Sequence, residues 1–188
     1  MDKATLRAQA RARRRAFPPE ERAARSARIR EHALALPELE RARIVGCYVS
    51  VGSEVETDLV LRALLAKGAL VAVPVTVAEE IRFVRLDHPW VLAPGAHGIP
   101  EPRQPWTVID GERLEVVFVP GLLFGRDGAR LGNGRGHFDR FLATHPTPLR
   151  VGLAFREQVV DALPAESHDQ GMDVLVTEEG RARIGRPA

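Results

Sequence analysis

Glycine occupies every second position of a short segment that lies between two arginines. Residues Arg130–Arg140 read Arg-Leu-Gly-Asn-Gly-Arg-Gly-His-Phe-Asp-Arg, and they follow the buried-strand pattern of Val116–Val119. Alternate glycines let backbone N–H groups turn to one side and approach an anion closely. Arg130 and Arg135 add charged donors that suit phosphate oxygens, and a helix predicted after the loop would offer its positive end. The segment indicates a phosphate-binding loop, although it is neither a Walker A sequence nor a dinucleotide-binding one, and a plain glycine-rich turn is the alternative.

Asp139 stands just beyond this loop. A carboxylate is a hard oxygen ligand, which makes Asp139 a candidate for holding the Mg²⁺ of a bound nucleotide. Two other roles are open: a charge at the start of the helix, or an ion pair with Arg140.

A second set of acids, Glu54, Glu56 and Asp58, follows the apolar run Ile44–Val49. Ligands of parallel sheets gather beyond the carboxyl ends of the strands, where carboxylates bind amino groups of a heterocycle or exchange protons. Glu56 and Asp58 would equally stabilise the dipole of the next helix. Glu54 lies farthest from that helix and is the better ligand candidate.

The pair His168-Asp169 lies in a polar stretch near the C-terminus. Its residue types suit a metal ligand, a base or an ordinary loop, and the sequence leaves all three open. The histidines show no zinc-type spacing, and the serines lie in no nucleophile-elbow sequence.

The N-terminal segment is strongly basic. Lys3, Arg7, Arg11, Arg14 and Arg15 recur at helical spacing on one broad face. Such a face binds nucleic acid, is simply solvated, or reaches the phosphates of ATP.

Helices and strands alternate in the regions that must position these residues. Helical patterns cover residues 3–15 and 18–35, the second with prolines and acids in its first turn. Buried strands are predicted at Ile44–Val49, Leu70–Val75, Ile81–Leu86, Val116–Val119, Leu149–Ala154 and Val174–Thr177. These elements predict a layered α/β fold with a parallel or mixed sheet.

Two connections between the strands carry signals of their own. A helix is expected over Thr57–Lys67, with Thr57 as its N-cap and Gly68 at its end. The segment Asp87–Trp106 contains five prolines and is predicted to be a long surface loop without regular structure.

Composition narrows the class of protein. The 188 residues suit a single domain over 1–188, and no apolar run reaches the ~20 residues of a membrane span. Cys47 is the single cysteine, which excludes an intramolecular disulfide and a cysteine-clustered metal site. The N-terminus lacks the apolar stretch of a secretory signal. We therefore expect a cytoplasmic protein.

Taken together, these motifs resemble the 5-formyltetrahydrofolate cyclo-ligase family. The matching features follow the family's order along nearly the whole chain. They are Lys3 with Arg7, the segment 54–57, residues 98–102, the block from Val119 to Arg140, the segment 154–158, His168-Asp169 and Asp173.

The resemblance implies a doubly wound, mostly parallel sheet flanked by helices, with N-terminal helices. It implies ATP- and Mg²⁺-dependent conversion of 5-formyltetrahydrofolate to 5,10-methenyltetrahydrofolate, with release of ADP and phosphate. Folate and ATP are then the binding partners, with no nucleic acid, no membrane and no obligate protein partner.

The resemblance also assigns roles to residues. Lys3 and Arg7 would contact ATP phosphates, Val49 and Glu54 would line the folate site, and Asp139 and Asp169 would hold Mg²⁺. The nucleotide loop would comprise Arg130, Leu131, Gly132, Asn133, Gly134, Arg135, Gly136, His137 and Phe138, with Arg130 and Arg135 also stabilising the transferred phosphoryl group. The chain departs from the family pattern at His137, where an aromatic residue is usual, and at Asn133, where a larger residue is common.

Two rival functions remain open from sequence. One is a small-molecule kinase that uses the same loop and leaves the phosphate on its product. The other is a nucleic-acid-binding module built on the basic N-terminal helices, although the chain beyond residue 30 is net acidic and aromatic residues are only 5%.

Overall fold

A computed structural model describes residues 2–88, 92–95 and 98–184. Within them the helices are α1 (Lys3–Arg15), α2 (Pro19–Leu34), α3 (Pro37–Arg41), α4 (Asp58–Ala66) and α5 (His137–Thr144). The strands are β1 (Ile44–Cys47), β2 (Leu70–Val77), β3 (Glu80–Leu86), β4 (Leu92–Pro94), β5 (Pro100–Pro102), β6 (Val108–Ile109), β7 (Val116–Val119), β8 (Leu123–Gly125), β9 (Arg130–Leu131), β10 (Leu149–Leu153), β11 (Val159–Val160), β12 (Val174–Thr177) and β13 (Gly180–Arg183).

A large central sheet has the strand order β13-β12-β10-β7-β1-β2-β3-β6. Its five inner strands, from β12 to β2, run parallel, and the outer strands β13, β3 and β6 pair antiparallel. The chain adds β2 on one side of β1 and then returns to add β7 on the other side. The boundary between β1 and β7 is therefore the topological switch point, where α/β sheets open a crevice for ligands.

Helices cover both faces of the sheet, because alternate strand residues point to opposite sides. On one face Val45, Phe118 and Val151 join a core with residues of α2 and α4, such as Ile29 and Leu61. The other face packs against α5 and β8 through Phe141, Leu142 and Phe124. This arrangement confirms the predicted doubly wound α/β fold.

Helix α1 packs outside the sheet on the small sheet β11-β8-β9. Its Ala10 shares a buried cluster with Leu122, Leu123 and Leu131. Because those residues flank the glycine-rich loop, the packing holds the basic face of α1 against that loop.

Most predicted helices and strands are confirmed to within two residues of their ends, but two details differ. Thr57 is the N-cap of α4, as predicted, but its side chain makes no capping bond; its hydroxyl instead donates to the Tyr48 carbonyl at 2.8 Å and accepts from the Ser50 N–H. The predicted irregular loop Asp87–Trp106 contains the antiparallel pair β4 and β5. Its residues 89–91 and 96–97 lie outside the described part of the chain. Among the described helices, none has both the length and the apolar character needed to cross a membrane.

Candidate functional site

A pocket of about 920 Å³ opens at the carboxyl ends of β1 and β7, the switch point of the sheet. Every site residue that the sequence predicted lines it: Lys3, Arg7, Val49, Glu54, the continuous stretch from Arg130 to Asp139, and Asp169. These residues come from four separate regions of the chain, and the fold brings them to one cavity.

The glycine-rich loop forms one wall of this pocket. Gly134 and Gly136 adopt positive φ values of 99° and 67°, conformations that favour glycine. Gly136 is also the N-cap of α5, so the N-terminus of that helix faces the same cavity. A Cβ atom on Gly132 would lie 2.7 Å from Arg130 Nη1, and one on Gly134 would lie 3.3 Å from Arg7 Cζ. The loop therefore needs glycine both for its backbone and for close contact with two arginines.

Helix α1 lies along the loop through its basic face. Arg7 Nε donates to the Gly132 carbonyl at 3.1 Å, and Arg11 Nη2 donates to the Asn133 carbonyl at 3.2 Å. Lys3, one turn before Arg7, is directed to the other end of the pocket. The face therefore contacts the pocket wall and is not simply solvated, which was one of the alternatives open from sequence.

Arg130 and Asp139 form a tight ion pair beneath the loop. Arg130 Nη2 lies 2.5 Å from Asp139 Oδ1, and Arg130 Nη1 donates to the Pro120 carbonyl at 3.2 Å. Only 3% of the Arg130 side chain is exposed, and its Nε has no hydrogen-bond partner among the described residues. Asp139 also accepts from the Gln170 N–H at 3.2 Å.

The sequence left open an ion pair between Asp139 and Arg140, and the structure contradicts it. Arg140 instead donates to the carbonyls of Arg135 and Glu79. Arg135 is exposed at the rim of the loop and lines the pocket.

A turn that contains Glu166, His168 and Asp169 closes the far end of the pocket. Lys3 Nζ lies 2.7 Å from Asp169 Oδ2 and 3.3 Å from Glu166 Oε2. Burial raises the pKa of Asp169, but the Lys3 ammonium and the Glu166 N–H outweigh burial and hold that pKa below its ordinary value. For Lys3 the directions are opposite: burial lowers the pKa of its ammonium group, but the carboxylates of Asp169 and Glu166 outweigh burial and raise that pKa above its ordinary value.

The same turn has the donor set of a metal site. One ligand atom from each of Glu166, His168 and Asp169 lies within 4.8 Å of the others. Carboxylate oxygens suit a hard cation such as Mg²⁺. The Gln170 N–H connects this turn to Asp139, so the two predicted metal ligands border the same part of the pocket.

Glu54 lies on the opposite side of the pocket, after β1. It is 7% exposed, and its Oε2 accepts from the Val51 N–H at 3.0 Å. Burial raises the pKa of the Glu54 carboxyl, while the Val51 N–H and Arg14 act in the opposite direction. The half-buried Val49 stands beside it in the pocket lining.

Neither of the two neighbouring acids lines the pocket. Asp58 lies in the first turn of α4, as the helix-dipole alternative required, whereas Glu56 precedes that helix and pairs with an arginine of α2. Glu56 pairs with Arg22 at 3.2 Å, and Asp58 pairs with Arg62 at 2.8 Å on the surface of α4. Asp173, one of the residues that carried the family resemblance, accepts from the Arg150 N–H at 2.8 Å and does not line the pocket.

Several pocket residues were not found from sequence. Pro74 and Thr76 on β2, Ile81 on β3, and Ile99 and Glu101 at β5 complete the side around Glu54. Pro74, Thr76 and Ile81 belong to no motif, whereas Ile99 and Glu101 lie in the segment 98–102 that contributed to the family resemblance but was given no role in the site. Arg14, which approaches Glu54, was named only as one member of the basic face, although its spacing from Arg7 and Arg11 already indicated that they share a side of the helix.

Comparisons with known proteins identify the family of this chain. The sequence model of the 5-formyltetrahydrofolate cyclo-ligase family matches residues 1–178. A protein of that name from Mycolicibacterium smegmatis is 35% identical over 144 residues, covering 72% of this chain and 73% of that protein. The one from Mus musculus is 27% identical over 195 residues and covers 94% of both chains. The solved structure of Aquifex aeolicus 5,10-methenyltetrahydrofolate synthetase has a TM-score of 0.88 and 33% identity, covering 100% of this chain and 96% of that one.

Proposed function

The chain belongs to the 5-formyltetrahydrofolate cyclo-ligase family, and we propose that it converts 5-formyltetrahydrofolate and ATP to 5,10-methenyltetrahydrofolate, ADP and phosphate. The observation that carries the proposal is the pocket itself. It joins a cationic, glycine-rich wall on the β7 side to a buried carboxylate, Glu54, on the β1 side.

The chemistry explains why one site needs both sides. An N-formyl group is a resonance-stabilised amide and a weak electrophile, and ring closure must expel its oxygen. Transfer of the γ-phosphoryl group of ATP to that oxygen releases ADP and makes the oxygen a good leaving group. N10 of the folate then attacks the activated carbon, the C–O bond breaks, and phosphate departs with that oxygen. No protein nucleophile is needed, so the protein acts by positioning the reactants and stabilising charge.

The glycine-rich wall supplies the contacts for the triphosphate. Arg7 and Lys3 face the cavity from α1, and Arg135 stands at its rim. Backbone N–H groups at the start of α5 add the positive end of a helix. Arg130 Nη1 bonds to Pro120 and Nη2 bonds to Asp139. Held in this way, Arg130 would stabilise the transferred phosphoryl group from beneath the loop.

Mg²⁺ fits the carboxylate end of the same wall. Asp139 and Asp169 would hold it, with Glu166 and His168 beside them. When bound, the ion would neutralise charge on the β- and γ-phosphate oxygens. Lys3, which balances Asp169 in the free protein, would then be released toward phosphate.

The β1 side supplies the folate contacts. As a carboxylate, Glu54 accepts hydrogen bonds from the N–H groups of a pterin-like heterocycle. Val49 and Ile81 offer apolar surface next to it. The reactive formyl group would lie between this side and the phosphates.

The direct test combines the protein with ATP, Mg²⁺ and 5-formyltetrahydrofolate. We expect near-UV absorbance of the methenyl product to rise together with stoichiometric release of phosphate. A stable phosphorylated product would instead identify a small-molecule kinase. Salt-sensitive RNA binding without ATP turnover would identify the nucleic-acid-binding module. The docking of Arg7 and Arg11 on the loop speaks against that last function, because these side chains are engaged at the pocket.

A further inference from the structure

Arg14 connects the two loops that meet at the switch point. Its Nε donates to Ser53 Oγ at 3.1 Å, and its Nη1 donates to the Gly121 carbonyl at 3.3 Å. Its Nη2 lies 3.9 Å from Glu54 Oε1. Ser53 and Glu54 follow β1, whereas Gly121 follows β7. A single side chain from α1 therefore braces the folate side of the pocket against the nucleotide side.

Both charges of this pair are removed from water. Arg14 is 8% exposed and Glu54 is 7% exposed. Burying two charges costs free energy that their attraction offsets only when hydrogen bonds hold them in place, and removal of one partner leaves the other uncompensated. A fold that needed only stability could fill this space with apolar side chains, so the pair indicates a role for an ionised Glu54 in the pocket.

We propose that Arg14 is a positioning residue, which keeps Glu54 ionised and oriented toward the heterocycle of the substrate. This inference rests on the proposed function, since it assigns Glu54 to the folate. An ionised carboxylate accepts from the substrate N–H groups, whereas a protonated one would present an O–H donor to another donor. Arg14 does not itself contact substrate in this proposal.

Besides Arg14 and Glu54 themselves, the ionisable side chains that interact electrostatically with this pair among the described residues are Tyr48, Arg11 and Arg15. Tyr48 acts on Glu54 from the end of β1, and burial raises the pKa of Tyr48 well above its ordinary value. Arg11 and Arg15 act on Arg14 from the same helix, and arginine stays protonated. Glu54 is therefore the group whose charge would respond to loss of Arg14.

The first experiment compares Arg14→Met, Arg14→Lys and Arg13→Met, the last a matched change at an exposed position of α1. At about pH 6, Arg14→Met should raise the KM for 5-formyltetrahydrofolate about tenfold, which equals ~1.4 kcal/mol. The rise should shrink as pH increases, because a higher pH favours the ionised carboxylate even without Arg14. The KM for ATP should change less than about twofold, Arg14→Lys should recover part of the loss, and Arg13→Met should match wild type.

An equal, pH-independent rise in the KM values for 5-formyltetrahydrofolate and ATP, or no rise in either, would overturn the proposal.

The second experiment needs no catalysis. Without Arg14, the folded-state pKa of Glu54 rises further above its unfolded value, so stability is lost as pH rises through that folded pKa. Arg14→Met should therefore lower the thermal midpoint more at about pH 8.5 than at about pH 5.5, and adding Glu54→Gln should remove the difference. If Arg14→Met lowers the thermal midpoint equally at both pH values, Arg14 only braces the loops. The same conclusion follows if the difference between the two pH values persists after Glu54→Gln is added. Failure of the wild-type protein to form methenyl product would count against the proposed function. The stability comparison tests the role of Arg14 separately, because it does not depend on activity.

Discussion

Lys3 and Asp169 are 166 positions apart in the chain, yet Lys3 Nζ lies 2.7 Å from Asp169 Oδ2. The contact joins the first turn of α1 to the C-terminal wall of the pocket. Lys3 is a predicted phosphate contact and Asp169 a predicted metal ligand, and in the free protein each balances the charge of the other. Bound Mg²⁺ and triphosphate would replace this internal pair, which limits the net gain from either residue.

Replacing both Lys3 and Arg7 with alanine should weaken ATP binding about 10- to 100-fold. Charge-assisted hydrogen bonds are worth ~1.5–3 kcal/mol each, and ~1.4 kcal/mol corresponds to a factor of ten. Because Lys3 gives up Asp169 on binding, the double replacement should cost about as much as one such contact, which gives the stated 10- to 100-fold loss. Titration calorimetry with ATP and Mg²⁺ measures the change. Arg13→Ala, at an exposed position of α1, is the control, and an equal loss there would mean that only general positive charge matters.

The Lys3–Asp169 pair also predicts a response to acid. The pKa of Asp169 is depressed in the folded protein, so the stabilisation from Asp169 is present above its ordinary pKa and lost as pH falls through the folded value. The thermal midpoint should fall between about pH 5 and about pH 3, and Lys3→Met should make this fall shallower. Lys67→Met, at the exposed end of α4, should show the same slope of thermal midpoint against pH as the wild-type protein. Identical slopes for all three proteins would contradict the role of the pair.

Asp139→Asn should lower both turnover and stability. The change removes the anionic ligand that a hard cation prefers, and it leaves the buried Arg130 without its charged partner. We expect a loss on the order of 2 kcal/mol in the free energy of unfolding, together with a higher Mg²⁺ requirement in the methenyl assay. Asp161→Asn, at an almost fully exposed carboxylate, is the control. Loss of stability with normal turnover at every Mg²⁺ concentration would leave Asp139 as the partner of Arg130 alone.

Glu54→Gln should impair the use of folate more than the use of ATP. Glutamine keeps one acceptor but adds an N–H donor, which mispairs with the N–H groups of the heterocycle. We expect the KM for 5-formyltetrahydrofolate to rise about tenfold or more, with the KM for ATP nearly unchanged. Glu56→Gln, in the same loop but paired with Arg22, provides the comparison. If ATP use falls and folate use does not, the two sides of the pocket have been assigned in reverse.

Much of this protein could be predicted from local patterns. The bounds of β7, β12 and α1 were predicted to the residue. Helices and strands of this kind depend on the spacing of apolar and β-branched residues within a short segment, which can be read from the sequence. The glycine-rich loop could also be recognised from the sequence, because glycine readily adopts the positive φ values found at Gly134 and Gly136. The edge of the sheet at which the pocket opens was also predicted, because acids and glycines follow directly after strands there.

Contacts between distant segments needed the tertiary structure. The hairpin formed by β8 and β9 holds only three and two residues, too short for a period to be recognised. Asp139 was given Arg140 as a neighbour in sequence, but the partner is Arg130 because the loop turns back beneath α5. From the sequence, Arg14 is one of five basic residues on the same helix face. In the structure, Ala10 packs on Leu131, and this packing places Arg14 next to Glu54.

The sequence by itself determined which chemical groups are present, which elements carry them and at which edge of the sheet they gather, because each depends on short-range spacing. Tertiary packing decided which charges face each other across the pocket. Those pairings arise between segments separated by up to 166 residues, and nothing local distinguishes Lys3 with Asp169 from Lys3 with any other acid.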